Sequence, residues 1–187
     1  MRVIAGKFRS RRLKGPGILR IRPTSDRLRE TLFNILGPEV EDSLFVDLYA
    51  GTGAIGIEAF SRGARHVILV ESNAKAAKLI RENLEALEIR TGIELIAADA
   101  VKGLERIAAR HLVADFIFLD PPYEKTEEHI RVLEFLDSSH LIAPHGTVIV
   151  EHHWRRAVPE RLSRLECVRQ IEEGDAVLSF FSLAAAA

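Results

Sequence analysis

Several things are scarce in this chain, and each shortage removes a class of protein. Cys167 is the single cysteine among 187 residues, which excludes an internal disulfide and any zinc site built on several thiolates. It reads as a small buried apolar residue, and a reducing cytoplasm is the simplest compartment for the chain. No apolar run approaches the ~20 residues that a membrane-crossing helix needs. The first residues carry charge but lack the apolar stretch of a signal peptide. His66, His111, His129, His140 and His145 are scattered, and the neighbours His152 and His153 point to opposite faces of a strand, so no metal site is expected. Repeats and low-complexity segments are missing, and nothing demands more than a monomer. Ala184 to Ala187 are read as a cloning remnant or a frayed end without function. With 47% hydrophobic residues, the length fits one globular domain with a real core and a short appendage.

The net charge of −1 hides an asymmetry. Residues 1–31 hold ten bases (Arg2, Lys7, Arg9, Arg11, Arg12, Lys14, Arg20, Arg22, Arg27 and Arg29) against two acids, Asp26 and Glu30, a net of +8. The remaining sixteen bases and twenty-five acids leave −9. A basic arm on an acidic body suits a polyanionic partner docking at one end, with Phe8 placed to stack on a base. The alternative is a solvated tail that only aids solubility.

Loose alternation from Arg2 to Leu13 suggests a small hairpin or an extended arm, and Gly15-Pro16-Gly17 marks a turn. Thr24 or Ser25 then caps a helix with Asp26 in its first turn, Leu28, Leu32 and Ile35 at helical spacing, and Gly37-Pro38 as its end. From residue 44 onward strands and helices alternate. Apolar strands are expected at 44–48, 66–71, 93–98, 115–120 and 146–151, with helices near 54–61, 73–87, 101–109 and 127–136. Near-continuous apolar strands separated by helices mean a parallel sheet covered on both faces. The tail departs from this rhythm: Leu165–Ile171, a turn at Glu173-Gly174-Asp175 and Ala176–Leu183 read as a hairpin adding an antiparallel strand to the sheet edge. Residues 1–24 are thus the arm, 25–183 the main domain and 184–187 the tail.

Two motifs carry chemistry. Gly51-Thr52-Gly53-Ala54-Ile55-Gly56 has the spacing of a dinucleotide loop, and Glu71 follows Gly51 by twenty residues, where an acid grips ribose hydroxyls. A nicotinamide-dependent dehydrogenase is therefore a rival. Asp47 argues against it, since a carboxylate at the mouth of the first strand suits an ammonium group better than a pyrophosphate. A cofactor with ribose, adenine, a positive amino acid end and no phosphate satisfies Asp47 and Glu71 together, and S-adenosylmethionine is that molecule. The structural alternatives are that Asp47 caps the glycine turn and that Glu71 is a surface acid. Asp99 either caps the next helix or takes the adenine amino group, and the two roles can coexist.

The second motif is Asp120-Pro121-Pro122-Tyr123, directly after the apolar run Phe116–Leu119. Prolines there stop a strand and leave carbonyls without ladder partners. Carboxylate and carbonyls can then accept hydrogen bonds from a flat NH2-bearing ring while Tyr123 stacks on its face. The bland alternative is a strand-ending turn. Neither dehydrogenase chemistry nor a plain turn explains the motif and the glycine loop together.

These residues resemble a known family. Asp47-Leu48-Tyr49-Ala50-Gly51-Thr52-Gly53-Ala54, Glu58-Ala59, Ser61-Arg62-Gly63-Ala64, Arg22-Pro23-Thr24-Ser25-Asp26-Arg27, Arg29-Glu30-Thr31-Leu32-Phe33-Asn34 and Asp120–Tyr123 are similar to the 16S ribosomal RNA guanine-N2 methyltransferases of the RsmD type. The likeness runs from Arg2 to about Leu183. It implies an α/β fold, a Rossmann-like class I methyltransferase whose mostly parallel seven-stranded sheet holds one antiparallel strand. It implies methyl transfer from S-adenosylmethionine to the exocyclic amine of one guanine, on the small ribosomal subunit or an assembly intermediate. Asp47, Tyr49, Ala50, Gly51, Thr52, Gly53, Glu71, Ser72, Asp99, Ala100 and Asp120 are then expected around the cofactor, and Asp120, Pro121, Pro122 and Tyr123 around the target base. Arg2, Lys7, Phe8, Arg9, Arg11, Arg12, Lys14, Arg22 and Arg27 are expected on RNA. Arg22, Thr24 and Asp26 either fold over the mouth of the site or simply start the first helix, and Arg29 reads as a phosphate contact or surface charge. A DNA adenine-N6 methyltransferase, a protein glutamine methyltransferase and a non-catalytic RNA-binding assembly factor are the further rivals.

Overall fold

The protein is described from a computed structural model that covers residues 1–15, 17, 24–122 and 127–184. Five parallel strands form the body: β1 (Leu44–Leu48), β2 (His66–Val70), β3 (Ile93–Ile96), β4 (Ala114–Leu119) and β5 (Ile142–His153). Strands β6 (Leu165–Glu173) and β7 (Ala176–Leu183) complete a seven-stranded sheet of order β3-β2-β1-β4-β5-β7-β6. Helices α1 (Asp26–Leu36), α2 (Ala54–Ser61), α3 (Ala74–Ala86), α4 (Ala100–Ala108) and α5 (Glu128–Ser138) connect and cover them. The order reverses between β1 and β4, which opens a crevice at their carboxyl ends.

Strand residues divide between two cores, as a period of two requires. Leu44, Val46 and Leu48 join Ile117 and Leu119 against Leu104 and Ile107 of α4 and Val132 and Leu136 of α5. Phe45, Val67, Leu69 and Phe116 face the other way, against Leu32 and Phe33 of α1, Ile55 of α2 and Ile80 of α3. The uninterrupted apolar runs in the sequence are thus buried on both faces. Local signals set the helix starts: the Ser25 hydroxyl accepts the Leu28 N–H at 3.0 Å, and the Asn73 side chain accepts from Lys75 at 2.9 Å.

The tail hairpin extends the sheet beyond β5, as its sequence leads one to expect: β7 lies between β5 and β6, is antiparallel to both, and leaves β6 as the edge. The side chains explain the choice. Ala176–Phe181 are all buried and need cover on both faces, whereas Arg169, Gln170 and Glu172 of β6 bring exposed polar groups to an open edge.

The N-terminal segment is moored to the domain. Arg2 and Arg12 form an antiparallel bridge, and Val3 and Leu13 bury themselves among Ala54, Ile57 and Leu87. The fully buried carboxylate of Glu58 in α2 accepts the backbone N–H groups of Ile4 (2.7 Å) and Ala5 (3.0 Å) and is balanced by Arg62 at 2.7 Å. Arg29 is likewise no surface charge. It is fully buried, and its Nη2 donates to the Arg2 carbonyl and to Asp26.

Candidate active site

Each of the five parallel strands delivers an acid to the same end of the sheet. Leu48 pairs with both Val70 and Leu119, and Leu119 pairs with Val150, so the residues that follow arrive side by side. Asp47 in β1, Glu71 after β2, Asp99 beyond β3, Asp120 after β4 and Glu151 in β5 all line one cavity of about 1070 Å³. Tyr49, Ala50, Gly51, Thr52, Ser72, Pro121 and Pro122 line it too, while Gly53 and Ala100 do not. Tyr123, Arg22 and Arg20 lie outside the described residues.

Two of the acids shape the glycine loop. Glu71 accepts the Gly51 N–H at 2.8 Å with one oxygen and the Asn73 N–H at 2.7 Å with the other. Asp47, almost wholly buried, accepts the Gly56 N–H at 3.0 Å. Burial pushes its carboxyl up to about 8, helped by the nearby charge of Glu71 and opposed by the Gly56 hydrogen bond. Gly56 must be glycine here, because a Cβ would lie 2.2 Å from the Leu69 side chain and would drive α2 off the sheet that carries Asp47.

Asp99 caps α4, accepting the Lys102 N–H at 3.2 Å. That hydrogen bond, with the Lys102 and Arg131 charges, holds its carboxyl below the usual range. Tyr49 has a positive φ of 62°, and its hydroxyl donates to Glu128 at 2.6 Å. Burial and the Glu128 carboxylate raise its pKa.

Sequence reasoning missed Glu151, Glu128 and Arg131. Glu151 follows the same pattern as the other four acids, a carboxylate at the carboxyl-terminal end of an apolar run (Val148–Val150), and that pattern was its signal. It is buried and accepts the Thr24 hydroxyl at 3.1 Å, which draws Thr24 to the cavity wall. Asp26 does not line the cavity; it pairs with Arg29 and Arg2. Glu128 and Arg131 stand three apart at the start of α5, 3.6 Å from each other, and Arg131 also reaches Asp99 at 3.4 Å. Nor are the histidines all scattered. His129 and His152 meet edge to face with centroids 6.4 Å apart, behind Glu151, whose carbonyl lies 3.3 Å from His129 Nε2.

The basic residues expected on RNA divide by their present partners. Arg2, Lys7, Arg9, Arg11, Arg12 and Lys14 are all exposed. Arg11 reaches the Ala86 carbonyl at 2.9 Å, Lys14 pairs with Glu82 at 2.9 Å, and Arg27 pairs with Glu173 at 2.6 Å. Phe8 is half-buried and stacks on Phe60 with centroids 6.2 Å apart, so one side of its ring packs on protein.

The family described as conserved hypothetical protein 95 matches residues 1–182. The protein YlbH of Bacillus subtilis (strain 168) is 35% identical over 170 residues, covering 91% of this chain and 92% of its own. The ribosomal RNA small subunit methyltransferase D of Escherichia coli (strain K12) is 33% identical over 161 residues, 85% of this chain and 78% of its own. Among solved structures, a hypothetical protein of Thermus thermophilus superposes with a TM-score of 0.82 at 26% identity, over 98% of this chain and 99% of that one. On this match the chain belongs to the conserved hypothetical protein 95 family, that of the small-subunit ribosomal RNA methyltransferases D.

Proposed function

We propose that this protein transfers a methyl group from S-adenosylmethionine to the exocyclic N2 amine of a guanine in 16S ribosomal RNA, on the small subunit or an assembly intermediate. One observation carries the choice of cofactor. A dinucleotide needs the loop and helix N–H groups for its pyrophosphate, yet Gly51 N–H already binds Glu71 and Gly56 N–H already binds Asp47. Carboxylates occupy two of these donors and leave a mouth suited to hydroxyls and an ammonium group. S-adenosylmethionine fits these groups, and when bound it supplies an electrophilic methyl on sulfur. Asp47 would face its ammonium end, Glu71 its ribose, and Asp99 its adenine amine.

The amine of guanine is a poor nucleophile because its lone pair is delocalised into the ring. Hydrogen bonds from the amine to Asp120 and the Pro121 carbonyl, at the end of β4, would pyramidalise the nitrogen and turn its lone pair toward the methyl group. Asp120 takes a proton as transfer completes. Holding amine and methyl in line supplies much of the rate, so no strong base is needed. The base must leave its stack to enter, and Tyr123 is the residue to cover it. The exposed cations of residues 2–14 are suited to phosphates, which set affinity rather than base choice.

The test offers labelled S-adenosylmethionine with unmethylated small subunits, naked 16S RNA or duplex DNA, then identifies the methylated nucleoside. N2-methylguanosine is expected, with Asp120→Ala abolishing transfer while cofactor binding persists. N6-methyladenine in DNA would move the chain to the DNA methyltransferases. Cofactor binding without transfer to any nucleic acid would point to a protein substrate, and undiminished transfer by Asp120→Ala would remove Asp120 from the pocket.

A further inference from the structure

Trp154 is the one tryptophan of the chain, and half of its surface is exposed (52%). It stands one residue beyond β5, at the same end of the sheet as the acids of the cavity. At 3.3 Å per residue it lies about 10 Å along the chain from Glu151 in the cavity wall. Its neighbours are cationic or ionisable rather than apolar. The His153 ring stacks on it with centroids 5.8 Å apart at 25°, and the Arg155 guanidinium lies 4.8 Å from the ring centroid. Backbone contacts fix the turn: Trp154 N–H donates to the Asp175 carbonyl at 3.1 Å, Arg155 N–H to His153 Nδ1 at 3.1 Å, and Arg156 N–H to the His153 carbonyl at 2.8 Å. Arg155 is exposed and forms no ion pair among the described residues, and Glu173 of the adjoining turn is paired with Arg27. A buried tryptophan would need no explanation; one left half-exposed just beyond β5, at the end of the sheet that carries the cavity, with a guanidinium over its ring, does.

We propose that Trp154 is a stacking platform for an unpaired base of the substrate RNA next to the methylated guanine, with Arg155 leaving the ring to take the adjoining phosphate. The proposal rests on the reading of the chain as an RNA methyltransferase. Aromatic faces flanked by arginine hold splayed-out bases without sequence preference, and an enzyme that extracts one base must hold its neighbours apart. Arg155 would act as a place-holder, shielding the ring from water until RNA arrives. An apolar protein partner fits less well, because cations ring the indole.

Being the sole tryptophan, Trp154 reports on its own contacts. Its fluorescence should be quenched, and shielded from acrylamide, when naked 16S RNA or small subunits are titrated into the full-length protein. Trp154→Ala should weaken RNA binding about 5- to 100-fold, Trp154→Phe should restore most of the loss, and S-adenosylmethionine affinity should stay unchanged in both. Unaltered fluorescence and unaltered RNA affinity in Trp154→Ala, with guanine still methylated by the wild type, would overturn the platform and leave the enzymatic reading intact. Quenching by RNA or subunits, with Trp154→Ala binding both as tightly as the wild type, would also overturn it, because the ring would then be covered without holding a base. If the wild type methylates no RNA, the enzymatic reading itself has failed.

Discussion

The Tyr49 hydroxyl donates to the Glu128 carboxylate at 2.6 Å, tying the glycine loop of β1 to the first turn of α5 across the mouth of the cavity. Glu128 in turn meets Arg131, and Arg131 meets Asp99 at the head of α4. The loop expected to hold the cofactor and the helix that follows the Asp120–Pro122 turn are therefore parts of one polar chain.

Tyr49→Phe isolates this link. The ring and its packing remain, and only the charge-assisted hydrogen bond is lost, a contribution of about 1.5–3 kcal/mol in a buried setting and less here because the site is open to solvent. We expect a melting temperature lower by roughly 2–5 °C, taking about 1–1.5 kcal/mol at this chain length. Cofactor affinity should fall several-fold. Thermal melts with and without S-adenosylmethionine check both, and unchanged values would mean that the bond positions neither element.

Asp47 is the group whose protonation should change on binding. Its pKa of about 8 keeps it mostly neutral at pH 7 while the site is empty of cation. An ammonium group placed against it favours the carboxylate, so binding at pH 7 should release close to one proton. Calorimetry in buffers of different ionisation enthalpy counts that proton. Asp47→Asn should release none and bind at least tenfold more weakly. Proton release undiminished in the variant would assign the ammonium contact elsewhere.

Much of this site can be read from the sequence because it is built by local rules. Glu71, Asp99 and Asp120 each follow an apolar run and Asp47 stands one residue before the end of another, and a parallel sheet brings such ends together whatever the details. Ser25 and Asn73 cap their helices through contacts two or three residues away. What escapes is set by contacts distant in the chain. Arg29 sits in the most basic stretch, yet it is fully buried because the Arg2 carbonyl folds over it. Glu58 looks like an exposed helix acid, and it is buried because Ile4 and Ala5 bring it their N–H groups. Which strand of the hairpin lies against β5 is likewise settled by distant packing, since Ala176–Phe181 of β7 are buried between β5 and β6.

His129 should make the fold acid-sensitive. Burial pushes its pKa down to about 4, against 6.5 for an ordinary imidazole, so the unfolded chain binds the proton first. A group with a depressed folded pKa withdraws stability as pH falls from 6.5 towards 4, here approaching ~3 kcal/mol at the lower limit. Asp47 has the opposite slope over the same range, since its raised pKa favours the folded state in acid. The difference between wild type and His129→Gln therefore carries the signal. Urea unfolding at pH 7 and pH 5 should show the wild type losing stability relative to the variant at the lower pH. Parallel curves would mean that His129 binds its proton equally readily in the folded and unfolded states.

Gly6 decides whether the basic segment stays seated. Its φ is +76°, and a Cβ there would lie 1.8 Å from the Ser61 carbonyl oxygen and 2.9 Å from the Arg62 nitrogen, backbone atoms that cannot give way. Gly6→Ala must lift residues 4–8 from the end of α2 and break the bonds of Lys7 to the Ser61 carbonyl and of Phe8 to its hydroxyl. We expect a loss of about 2–3 kcal/mol, hence a melting temperature lower by roughly 4–10 °C. Trypsin should then cut at Arg9, Arg11 or Arg12 far faster than in the wild type. Because those cations leave their fixed positions, RNA binding should weaken and its salt dependence flatten, as it should when Arg9, Arg11 and Arg12 are all changed to Glu. Cofactor affinity should hold in the triple variant, which leaves the Val3–Leu13 packing in place. A Gly6→Ala protein that resists trypsin like the wild type, with the salt slope unmoved, would show that the segment does not hold the cations in position for RNA.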